Sequence, residues 1–314
     1  MNLALLTACT ALGVFAGVTG LASLVAWAVA GRWAAGSRDA ARTARRLFAL
    51  RVLPSLMGLV LASGLALPAF LLFEPRGTLE TPGWTVTVLA VAGAIGIAAG
   101  LRRGIGDWWA TRRLRSQWMR GGRPLTLAGA PAPAYGIRHP FPVVSVVGIL
   151  HPRLFVAEQV LEALSEPELA AVLAHETGHV AARDNLKRIA LRLAPAVPWL
   201  QAARRLEERW EQATEEAADE RTCAGLELAA ALVKTARLAS AGSRIDVPAA
   251  ALHRGGALAR RVRRLIEAPE AVPPSSGPGG WMWGIGLAAA AGLAWSPLLL
   301  ASVHALLEHL VHLP

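Results

Sequence analysis

The chain has 314 residues, of which 54% are apolar and 17% charged, and its mean hydropathy is +0.41. That balance excludes an ordinary soluble globular fold of this size and predicts membrane-crossing segments. Two cysteines, Cys9 and Cys223, exclude a disulfide framework, and the net charge of +10 rests on arginines beside apolar runs, which argues against a nucleic-acid partner.

Residues 1–30 are almost free of charge, and 52–73, 84–101 and 281–307 are also apolar enough to cross a hydrocarbon core of roughly 30 Å, so four spans are expected. The first run is too long for a signal-peptide core and has no basic residues before it, so it reads as a retained span. Arg32, Arg38, Arg42, Arg45, Arg46 and Arg51 follow the first span, and Arg102, Arg103, Arg112, Arg113, Arg115, Arg120 and Arg123 follow the third. Between spans two and three only Arg76 stands against Glu74 and Glu80. The positive-inside rule then puts both basic stretches in the cytoplasm and both termini outside, in a multi-pass protein of the inner (plasma) membrane with the lipid bilayer as a partner.

The expected organisation is three transmembrane helices in 1–101 with a basic cytoplasmic loop at 31–51, and a basic linker at 102–134. A mostly helical domain at 135–268, a Pro/Gly tether at 269–280, and a fourth transmembrane helix with a short outer tail at 281–314 complete it. The spacings Gly13/Gly17 and Gly96/Gly100 suit close helix packing in the bilayer, and a homo-oligomer is a separate expectation. Within the domain, 142–150 and 153–156 are β-branched or aromatic runs separated by His151-Pro152, predicting a small hairpin or sheet edge. Ser165 and Glu168 form a capping-box signature for a helix that carries residues 175–179. Further helices are predicted at 185–193, at 201–234 as one continuous element, and at 252–267.

The stretch His175-Glu176-Thr177-Gly178-His179 places two imidazoles one turn apart on one helix face, where both reach a single zinc ion. Catalytic zinc commonly has three protein donors and one open position, and Glu215 is the expected third donor, from a facing helix. Glu176 is then the general base toward a water. Asp184 and Asp219 are candidates to accept the second ring N–H of the histidines, or else helix-surface charges paired with Arg183, Lys187 or Arg221. His253, with Arg260 or Arg261 as cationic neighbours, is a candidate for stabilising the oxyanion, or an exposed histidine before a basic helix.

The blocks GILHPRLFV, LSEPELAAVLAHETGHVAARDNL, EEAAD and RRVRRLIE, within 142–267, resemble the membrane-embedded gluzincin metallopeptidases of the BlaR/MecR antibiotic-sensor type, related to the HtpX and CAAX-protease families. The resemblance implies His175, His179 and Glu215 as zinc ligands and Glu176 as catalytic base. It also implies proteolysis on the cytoplasmic side by a domain between spans three and four. The expected substrate is a cytoplasmic or membrane-proximal protein, such as a transcriptional repressor or the chain itself. Those sensors carry a penicillin-binding domain after span four, whereas this sequence runs to Pro314, so β-lactam sensing is not implied. The alternatives are an HtpX-like quality-control protease and a non-proteolytic, zinc-containing membrane sensor.

Overall fold

The computed structural model describes residues 3–35, 39–73, 81–195, 201–242, 249–267 and 297–311. Long helices lead the chain: α1 (Leu3–Ala35), then α2 (Ala40–Leu61), which passes through a π turn at Ala62–Ala66 into α3 (Leu67–Phe73), then α4 (Trp84–Gly121). Three stretches, Ala4–Gly31, Ala40–Phe73 and Trp84–Gly121, are long and apolar enough to cross a membrane. Large apolar side chains such as Leu21, Leu72, Val88 and Ile95 face outward, while α4 buries Gly93, Gly96, Gly100 and Gly104. This inversion of the soluble pattern suits helices packed in lipid, where small residues let backbones approach. At Gly93 an added Cβ would lie 2.7 Å from the Leu12 carbonyl oxygen, so α1 and α4 can cross there only over glycine.

Two expectations about these helices are corrected. Most of the basic loop expected at 31–51 is helix, since Arg42, Arg45, Arg46 and Arg51 all lie on α2. Likewise α4 runs far past residue 101; its 38 residues span about 57 Å, nearly twice the hydrocarbon thickness. Alanine, leucine and arginine are strong helix formers, so a drop in hydropathy marks the membrane boundary without ending the helix. The fourth expected span falls largely outside the described residues, and its end forms a 15-residue helix, α11 (Pro297–Val311).

After α4 comes a four-stranded mixed sheet of β1 (Arg123–Leu125), β2 (Ala134–Ile137), β3 (Val144–Val147) and β4 (Arg153–Ala157), in the order β1-β2-β4-β3. The β1/β2 and β3/β4 pairs are antiparallel and β2/β4 is parallel. The hairpin expected from 142–156 is the β3/β4 pair. The segment expected as linker up to 134 instead supplies β1 and opens β2, because a three-residue Arg-Pro-Leu strand carries no alternation that could announce it. β3 is an outer strand, which matters for the site.

Six helices follow in the described residues: α5 (Glu158–Ala163), α6 (Glu166–Ala182), α7 (Asp184–Leu193), α8 (Gln201–Glu220), α9 (Gly225–Gly242) and α10 (Ala249–Glu267). The start of α6 is fixed as its sequence suggests, with the Glu168 carboxylate accepting the Ser165 N–H at 2.7 Å. Lys234 of α9 donates to the same carboxylate at 2.7 Å. Leu154, Val156, Val160, Leu173 and Ala231 form the core that joins the sheet to α6 and α9. The continuous helix expected at 201–234 is two helices. Thr222 closes α8 by donating its N–H to Asp219 O at 3.0 Å and its hydroxyl to Ala218 O, and α9 begins at Gly225. Strong helix formers on both sides hid this break.

Helices α7 and α8 are fastened to the long apolar helix α2. Ala44 and Leu47 of α2 pack with Leu191, Leu206, Trp210 and Ala213. Polar contacts close both ends of that seam. The Ala40 N–H donates to Glu220 Oε2 at 3.3 Å, and the buried Arg51 donates to Glu207 Oε1 at 2.9 Å and to Ala194 O at 3.0 Å.

Candidate metal centre

Two helices supply the donors, and their close approach brings the donors together. On α6, His175 and His179 share a face, and their Nε2 atoms lie 3.2 Å apart. Gly178 lies against α8 so tightly that an added Cβ would be 3.2 Å from Ala218 Cα. That contact carries Glu215, one turn earlier on α8, to the histidines: its Oε2 is 3.7 Å from His175 Nε2 and its Oε1 3.5 Å from His179 Nε2. One ligand atom from each of His175, His179 and Glu215 can be chosen so that all lie within 4.8 Å of one another.

The far sides of both rings face carboxylates. His179 Nδ1 is 2.8 Å from Asp184 Oδ2, and His175 Nδ1 is 3.0 Å from Asp219 Oδ1. Such partners favour the Nδ1–H tautomer and leave each Nε2 lone pair directed at the common point. Asp184 reaches back because Arg183 adopts a left-handed conformation (φ 56°, ψ 39°), ending α6 and starting α7 at once. Asp219 is 2% exposed and is gripped by Arg261 of α10, whose Nε and Nη2 lie 2.9 and 2.7 Å from its two oxygens. The same guanidinium sits 2.8 Å from Glu215 Oε2. Arg264, three residues on, holds α10 to α8 through the Glu216 carbonyl at 2.9 Å and its carboxylate at 2.7 Å.

Glu176 is placed differently. It stands beside the three-donor cluster without belonging to it, and its Oε2 accepts the Val146 N–H from β3 at 3.3 Å. Burial pushes its carboxyl above the ordinary 4.5, against the opposing pull of the two histidines. For Asp219, burial works upward, but His175 and Arg261 outweigh it and hold the carboxyl below 3.8. For His179, burial works downward, yet the Asp184 contact and the charges of Glu215 and Glu176 raise it above 6.5.

The structure thus gathers His175, His179, Glu215, Glu176, Asp184 and Asp219. His253 lies on α10, but its side chain is outside those described. Of its suggested cationic neighbours, Arg260 is exposed and Arg261 is committed to Asp219 and Glu215. That bridging by Arg261 was not read from the sequence. Its signal is the Arg261/Arg264 pair, three apart on one helix face, in register with acids on another helix.

Residues 128–245 match the family model described as Peptidase family M48. The match includes every residue of the centre except Arg261, and gives this stretch similarity to a family of metal-dependent peptidases. Before the M48-like stretch lie the three described helical stretches that are long and apolar enough to cross a membrane. No curated protein and no solved structure matches the chain. In the M48-like domain two imidazole nitrogens and one carboxylate form a donor set suited to zinc, and the carboxylate behind each ring completes the fit.

Proposed function

We propose that the chain is an integral-membrane, zinc-dependent endopeptidase that hydrolyses peptide bonds of a cytoplasmic or membrane-proximal protein. The observation that carries this is Glu176, a half-buried carboxylate beside a complete three-donor cluster but outside it. A metal site with only a structural role has no use for such a base next to an open coordination position. Held by His175, His179 and Glu215, zinc would polarise the scissile carbonyl and make an attacking water more acidic.

The chain's own residues divide the remaining work. Glu176 takes a proton from the water as its oxygen adds to the acyl carbon, then delivers that proton to the departing amine nitrogen. Burial raises its pKa above the ordinary carboxylate value, the direction that helps a base hold a proton between the two halves of the transfer. Asp184 and Asp219 hold the two imidazoles in orientation, and Arg261 offsets the charge of Glu215 and Asp219. β3, the outer strand beside Glu176, offers backbone groups to an extended peptide.

Purified protein in phospholipid nanodiscs, given fluorescent casein as substrate, tests the chemistry. Wild type should release peptides, and Glu176→Gln should keep its metal and lose the activity. Equal rates from the two would sink the proposal. The resemblance to the BlaR/MecR type supports signalling, with a repressor or the chain itself as substrate. Proteomes of cells making wild type or E176Q read this out: one specific cleavage favours signalling, whereas many degraded membrane proteins favour quality control. Cytoplasmic placement draws support from the arginine-rich ends of α2 and α4, which lie on the same side as the M48-like domain. A reporter fused after Pro314 should be active outside the cell.

A further inference from the structure

The side chain of Asn185, in the first turn of α7, spends its amide on the outer edge of β3. Its Nδ2 lies 3.0 Å from the Val146 carbonyl oxygen and 3.0 Å from that of Gly148, one acceptor for each of its N–H bonds. The register explains why those groups are open to it. The Ala157 N–H donates to Val143 O at 2.8 Å, and Val144 and Val146 stand opposite Val156 and Leu154. In an antiparallel pair this alternation turns the N–H and C=O of Val144 and Val146 away from β4. At Val146 both outward groups are engaged, the N–H by Glu176 at 3.3 Å and the C=O by Asn185.

Asn185 also directly follows Asp184, whose Oδ2 is 2.8 Å from His179 Nδ1. Two consecutive residues therefore brace the two walls of the site. Asp184 sets a histidine of α6, and Asn185 sets the strand that faces the base on that helix.

We propose that Asn185 is a positioning residue: its two hydrogen bonds hold Val146 and Gly148 so that the outer strand stays registered against Glu176. The consequence for turnover rests on the peptidase reading of the site, whereas the tether does not. By closing the edge at Val146, Asn185 leaves Val144 as the outward-facing residue of β3 at which an added peptide can pair. A carboxylate of the same shape cannot replace it, since aspartate brings no donor to two carbonyl oxygens.

The test uses the full chain in nanodiscs, comparing wild type, Asn185→Ala, Asn185→Asp and Asn185→Gln. Hydrogen exchange over residues 143–151, bound zinc, and kcat and KM on casein are measured together. Losing two hydrogen bonds should speed exchange in 143–151 by about tenfold or more in N185A and N185D, with α6 and α9 unchanged. Zinc content should stay at the wild-type level, kcat should fall about tenfold, and KM should change less than about twofold. N185Q, which keeps both donors on a longer arm, should recover part of both losses. Unchanged exchange in the isosteric N185D would overturn the proposal, as would faster exchange spread evenly over α6, α8 and α9, or faster local exchange with wild-type kcat. If wild type and E176Q are equally inert on casein, the peptidase reading fails, and the local exchange difference alone then supports or overturns the tether.

Discussion

The two histidines at the centre are held by supports of opposite kind. His179 is oriented by Asp184, five residues later and itself 3.4 Å from Lys187, so the whole support lies within one helix-to-helix step. His175 is oriented by Asp219 on α8, and that carboxylate is gripped in turn by Arg261 on α10. The first support exists once α6 and α7 form. The second exists only after two further helices dock, and Glu215 arrives with them. Half of the centre is thus local structure and half tertiary assembly, and the donor set is complete only when both are present.

Substitutions can break or sharpen that contrast. Glu215→Ala should have the largest effect, removing a donor from the docked half and weakening zinc by more than about 100-fold in competition against a chelator. Asp219→Asn and Asp184→Asn should each cost about 10- to 100-fold in zinc affinity, with Asp219→Asn the worse because it also leaves Arg261 half-unpaired beside Glu215. Equal losses would erase the asymmetry. Next comes pH. A metal held by His179 would have to displace a proton whose pKa is raised, so apparent zinc affinity should fall by up to about tenfold per unit as pH drops below that raised value. Thermal melts of zinc-free protein should show the complementary acid effect from Asp219. Its depressed pKa adds stability above the unfolded value of about 3.9, and that contribution is lost as pH falls through the lower folded value. Lys187→Ala should be the mildest, within about 1 kcal/mol of wild-type stability, because its ion pair with Asp184 is partly open to solvent.

The same division explains which parts of the centre the sequence makes legible. HETGH, the capping box at Ser165 and Glu168, and Asp184 lie within twenty residues, where helical spacing alone decides which side chains share a face. Glu215 and Asp219 could be nominated because they repeat that spacing on another helix. Arg261 stands out in the sequence only as a nearby cation; the Arg261/Arg264 spacing marks a basic face, but its grip on Asp219 depends on how α10 crosses α8, which that spacing does not fix. Asn185 was missed because its partners are backbone carbonyls, and any residue at positions 146 and 148 would offer the same acceptors. The extended ends of α2 and α4 were misjudged because hydropathy reports the solvent around a helix and is silent about its length.

Trp210 is 1% exposed, yet much of what covers it comes from outside the M48-like stretch, through the seam that α2 makes with α8. A polypeptide begun after the third span would turn Trp210, Leu206 and Ala213 to water on the same helix that carries Glu215, and would leave Glu207 without Arg51. Such a fragment should aggregate or fail to retain added zinc even though His175, His179 and Glu215 are all encoded in it. For anyone hoping to crystallise the M48-like stretch as a soluble piece, α2 has to travel with it as a built-in chaperone.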